Sequence, residues 1–121
     1  MDTLALRLAQ LAAVVTLGLG LMGLLAPALA ARFTGLSATT RTSFGEFRAT
    51  FGGLFVALGL LPLVTGNPLA WAVVSAGWLC TALGRLVSIA LDGGSKEPRS
   101  FGAFAFELVL GLAMLPVAGL R

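Results

Sequence analysis

Leu60-Leu61-Pro62-Leu63-Val64-Thr65-Gly66-Asn67-Pro68-Leu69-Ala70-Trp71-Ala72-Val73-Val74 is apolar on both sides of one short interruption, and that interruption decides the fold. Gly66 suits the left-handed residue just past a helix end. Asn67 suits the cap of the next helix, and Pro68 its first position, where the missing N–H has no partner to lose. One helix stops and another starts within four residues, so the two are expected to run antiparallel as neighbours.

Working outward, the apolar runs on either side cover residues 45–64 and 68–91, and two more cover 4–31 and 101–120. Each is near the about 20 residues a helix needs to cross a bilayer. Of 121 residues, 58% are hydrophobic and 11% charged, with a mean hydropathy of +1.00, the composition of a membrane protein. The expected fold is all-α: a single domain over 1–121, an antiparallel bundle of four transmembrane helices.

Composition also removes functions. The net charge of +3 comes from scattered Lys and Arg with no interleaved aromatic residues, so nucleic acid is not expected as a partner. The chain has no histidine, and Cys80 is its single cysteine, which excludes an internal disulfide and the commonest metal ligand. No Ser-His-Asp or Cys-His set, usable carboxylate pair, metal-ligand cluster or phosphate-cradling glycine loop is found. No cofactor, metal or enzymatic activity is expected.

Local signals set the helix ends. Ser43-Phe44-Gly45-Glu46 reads as a capping box opening the second helix, Asp92-Gly93-Gly94 closes the third, and Ser100 is the expected cap of the fourth. Arg7, the apolar run after it and Ala28-Leu29-Ala30 imitate a secretory signal. The run exceeds the typical 7 to 15 residues of a signal core, so the first helix is expected to be kept. Arg32, Arg41, Lys96 and Arg99 place the polar loops 32–44 and 92–100 in the cytoplasm with both termini outside.

In lipid, helices pack where small residues allow close backbone approach. Gly45, Ala49, Gly52, Gly53 and Gly59 form such a stripe on the second helix, and Gly77, Thr81, Gly84 and Ser88 on the third. Ala103 and Gly111 flank Glu107 on the fourth, and Gly18, Gly20 and Gly23 lie on the first. Arg48, Arg85 and Glu107 fall on these faces, so they are expected to turn inward and meet near the cytoplasmic end. Ser88 belongs to the same polar group. Glu46 has two readings, a fourth member of the cluster or the capping partner of Ser43.

Such a cluster is either a structural clasp that fixes helix register or a site where an uncompensated guanidinium binds a lipid phosphate, a carboxylate or a quinone carbonyl. The clasp leads to an accessory or scaffolding subunit, associating with itself or a larger complex. The site leads to a binder or carrier of a lipid-like or quinone ligand. Phe44, Phe47, Phe51 and Phe55 recur along the second helix as packed or lipid-facing bulk. Trp71 suits the outer interface, Trp78 packs deeper, and Cys80 is expected as a buried, inert hydrophobe.

Phe47-Arg48-Ala49-Thr50-Phe51-Gly52-Gly53-Leu54-Phe55 with Gly59, Gly84-Arg85-Leu86-Val87-Ser88 with Asp92-Gly93, and Glu107-Leu108 before Gly111 carry a resemblance. The chain resembles the family of small bacterial four-helix membrane proteins catalogued as domain of unknown function 4345. That family is similar in outline to the DoxX-like membrane proteins, some of which are associated with quinone-linked sulfur metabolism. The resemblance implies a bacterial inner-membrane bundle and supplies no activity.

Overall fold

The computed structural model describes residues 3–93 and 97–119, and they are helical throughout apart from short connections. The elements are α1 (Thr3–Leu25), α2 (Pro27–Thr34), α3 (Arg41–Glu46), a π-helical segment (Phe47–Leu54), α4 (Phe55–Thr65), α5 (Pro68–Leu91), α6 (Pro98–Met114) and a 3₁₀ turn (Leu115–Val117). Four helical stretches, Thr3–Leu25, Arg41–Thr65, Pro68–Leu91 and Pro98–Val117, are long and apolar enough to cross a membrane. The chain is a multi-pass membrane protein by this measure. Gly94, Ser95, Lys96 and Arg121, on which part of the loop and terminus reading rests, lie outside the described residues.

The turn that opened the sequence reading forms as its residues dictate. Gly66 is left-handed, with φ 61°, and its N–H donates to the Pro62 carbonyl at 2.9 Å. Asn67 accepts from the Leu69 N–H at 2.8 Å, and Pro68 takes the first helical position.

Several boundaries differ from the sequence reading, the end of the fourth stretch among them: it is helical to Val117 rather than to 120. The first helix does not run unbroken over 4–31. Pro27 has no N–H to give and disfavours helical backbone at the residue before it, and Ala26 accordingly sits at φ −137°, ψ 65° between α1 and α2. The second helix starts at Arg41, so Thr40 is its cap, exchanging hydrogen bonds with Ser43, and Ser43 and Glu46 do not form the expected box. The fourth starts at Pro98 with Glu97 before it, which puts Ser100 in the first turn, where its N–H donates to the Glu97 carbonyl at 3.0 Å.

The described part of the chain divides into two compact units. One is Leu11–Gly66; the other joins Asn67 onward with the start of α1, up to Gln10. In the first unit, α1 and the Arg41–Thr65 stretch run antiparallel, Gly59 facing Ala13 and Leu17 while Gly23 faces Phe51 and Gly52. Ala30 and Ala31 of α2 pack on Phe47, with Met22, Ala38 and Phe51 around them. In the second, α5 and α6 run antiparallel: the Gly119 N–H donates to the Pro68 carbonyl at 2.9 Å at one end, and Arg85 meets Glu107 toward the other.

Candidate functional site

Within the second unit, Arg85 of α5 and Glu107 of α6 form a two-pronged ion pair. Arg85 Nε donates to Oε1 and Nη2 to Oε2, both at 3.1 Å, the parallel geometry that suits guanidinium to carboxylate. Glu107 is buried, whereas the Arg85 side chain is 39% exposed. The carboxylate is thus enclosed, and the partly exposed arginine has N–H donors beyond the two it gives to Glu107. Toward Pro68, the buried Ser75 hydroxyl donates to the Gly111 carbonyl at 2.7 Å, and Gly111 lets the helices close: a Cβ there would fall 2.7 Å from Leu79 Cδ2 and 3.1 Å from its N. Trp78 meets Phe106 edge to face at 6.1 Å.

Within the first unit, Arg48 lies in the π-helical segment, exposed, and its Nη1 donates to the Leu24 carbonyl at 2.6 Å. Leu24 is in the last turn of α1, where carbonyls run out of intrahelical donors, and the Pro27 break makes that end abrupt. Arg48 therefore caps α1 from a different helix, its charge at the negative end of the helix dipole. Phe47, Phe51 and Phe55 line the same segment, with ring centres 6.1 Å and 5.0 Å apart.

The remaining sequence-predicted residues go elsewhere. The Ser88 hydroxyl bonds Asp92 Oδ2 at 2.9 Å, a local contact one turn on, and Glu46 is exposed. Gly52 and Gly59 sit against the backbone of α1, joined there by Gly20 and Gly23. Gly45, Gly77 and Gly84, and Gly18 of α1, are exposed with nothing within 4 Å of where a Cβ would stand, while Gly53 is exposed over its own helix. Gly45 and Gly52 part company because π-helical hydrogen bonds close loops one residue wider than α-helical ones, turning the two glycines out of phase. Trp71 is buried in the protein near the start of α5, and Cys80 is exposed rather than buried. Pro27, Ser75 and the Leu24 carbonyl also shape these arrangements; the proline and a lone hydroxyl in an apolar run are displayed by the sequence, whereas a freed backbone carbonyl is not.

Among the described residues no group of three or more His, Cys, Asp or Glu could hold a metal ion, and no buried side-chain polar atom lacks a hydrogen-bond partner. The model of the family described as Domain of unknown function (DUF4345) matches residues 6–118, nearly the whole chain. The chain belongs to the DUF4345 family. The match takes in both polar arrangements, so Arg48, Arg85 and Glu107 all lie inside the DUF4345 region. Comparison with curated proteins and with solved structures finds no match.

Proposed function

We propose that this DUF4345 protein is a non-enzymatic accessory or scaffolding subunit of the bacterial inner membrane, joining itself or a larger complex through one face of α5. The observation that carries the reading is the disposition of its small residues. Gly77, Thr81 and Gly84 are exposed, with Ser88 one turn further on the same face. Nothing lies within 4 Å of a Cβ at Gly77 or Gly84. The hydroxyls on this face are satisfied locally, Thr81 by the Gly77 carbonyl at 2.8 Å and Ser88 by Asp92, so it presents a smooth, closely approachable helix surface. The arginines of loop 32–44 and the Lys96 and Arg99 side favour a cytoplasmic position for both loops and outside termini.

A second reading, a binder or carrier of a lipid-like or quinone molecule, is supported by the donors that Arg48 and the partly exposed Arg85 keep beyond their bonds inside the chain. Native mass spectrometry of the protein released from its own membrane separates the two. A protein assembly that survives Arg85→Ala and is lost with Gly84→Leu supports the subunit. A small molecule that leaves with Arg85→Ala supports the carrier. A bare monomer with no copurifying partner overturns the subunit reading.

A further inference from the structure

The geometry points to a binding site for the headgroup phosphate of an anionic phospholipid on the face of the second spanning stretch that carries Arg41, Gly45 and Arg48. It narrows the ligand reading above to one chemical class, and it stands on Arg48 without Arg85.

Arg41 and Gly45 lie one α-helical turn apart, and Arg48 follows as the second residue of the π-helical segment, before much phase drift has built up, so the three stay on roughly one side with the two guanidinium groups attached roughly 10 Å apart along the axis. All three are exposed, and the bare Gly45 between them leaves the space above the backbone open. Phe47 is buried against Ala30 and Ala31, and Arg48, the next residue, reaches the Leu24 carbonyl of α1 while its side chain stays exposed. Glu46 points away from this face, since adjacent residues lie about 100° apart around a helix. Among the described residues neither Arg41 nor Arg48 meets a carboxylate; the ion pair found joins Arg85 to Glu107.

Depth then selects the ligand. Arg41 opens the spanning stretch and Arg48 lies two turns inside it. A guanidinium at that depth with no counterion is costly in hydrocarbon, and long side chains answer by reaching back to the interface. Helical side chains lean toward the N-terminus, which here is the direction of Arg41 and of water. The bond to the Leu24 carbonyl uses one of five N–H donors and holds the group in place, leaving the others to an oxygen anion. The anions that a membrane supplies at this level are lipid phosphates, which such basic groups attract.

The test uses the full chain in bilayer discs of equal phosphatidylglycerol and phosphatidylcholine, with retained lipids counted by native mass spectrometry after release. The wild type should keep phosphatidylglycerol over phosphatidylcholine by roughly fivefold or more per contributing arginine. Arg48→Gln and Arg41→Gln should each lower that ratio by about that factor, and Arg48→Lys should keep most of it. Arg41 holds no other helix, so if Arg48→Gln fails to fold, Arg41→Gln and Arg48→Lys decide. A ratio near one in the wild type, or an unchanged ratio in both glutamine variants, overturns the site. Loss of bound lipid in Arg85→Ala with both glutamine variants unchanged overturns it too, while leaving the wider ligand reading intact.

Discussion

The two units solve one problem in opposite ways. In Leu11–Gly66 the spanning helices are joined where side chains are missing: Gly20, Gly23, Gly52 and Gly59 let backbone meet backbone, and a Cβ at Gly52 would stand 2.6 Å from the Leu24 N. In the unit that contains α5 and α6, the junction is made by side chains, with the Arg85–Glu107 fork toward one end and Ser75 bonded to the Gly111 carbonyl toward the other. Lipid is as apolar as leucine, so hydrophobicity cannot choose a helix partner there. Close backbone approach dominates in one unit, with Arg48 bonding across it, and hydrogen bonding dominates in the other, where Gly111 also lets the helices close.

The contrast predicts that the glycine junction fails by steric insult and the polar junction by lost partners. The largest effect should come from Gly52→Leu, which drives a side chain into the α1 backbone and should remove more than about 3 kcal/mol, read as loss of the folded state in a detergent-denaturation series. Gly18→Leu, in the same unit, is the matching control. It should leave that transition within about 0.5 kcal/mol, because nothing lies near its Cβ.

Next, Glu107→Gln should cost about 2 kcal/mol in the same assay. That is less than the 3 to 5 kcal/mol of a wholly buried pair, because the Arg85 side chain is 39% exposed and can recover some hydration. An unchanged midpoint would show that the fork does not clasp α5 to α6. Ser75→Ala should cost about 1 kcal/mol, the scale of one interhelical hydrogen bond in a membrane; a loss as large as that of Glu107→Gln would mean Ser75 governs the crossing. Asp92→Asn removes a charge from an exposed contact with Ser88 and should shift stability by less than about 0.5 kcal/mol.

These features were unequally legible in the sequence. The Gly66-Asn67-Pro68 turn could be read because each residue type names its backbone role, and Arg85 and Glu107 stood out because charge is rare in such a chain. Arg48 could be singled out but its partner could not, since a backbone carbonyl freed by a broken helix leaves no letter of its own. The break was written in Pro27, though the long apolar run around it disguised the signal. Faces were hardest. A soluble helix announces its inside by polarity, whereas here lipid-facing and buried positions are both apolar, so the exposure of Cys80 cannot be told from the residues around it. The π-helical stretch then turned Gly45 out of phase with Gly52, which no periodicity of α type would show.

The fork between Arg85 and Glu107 also imposes an order on synthesis. The ribosome makes the arginine 22 residues before its carboxylate, and an unpaired arginine opposes insertion by about 2.5 to 3.5 kcal/mol at a helix centre and by less at Arg85, six residues from the end of α5. The expected consequence is that α5 inserts less completely alone than together with α6, whose Glu107 neutralises it. Glycosylation mapping of a chain halted after Leu91 reads this directly: full insertion of α5 alone would refute it.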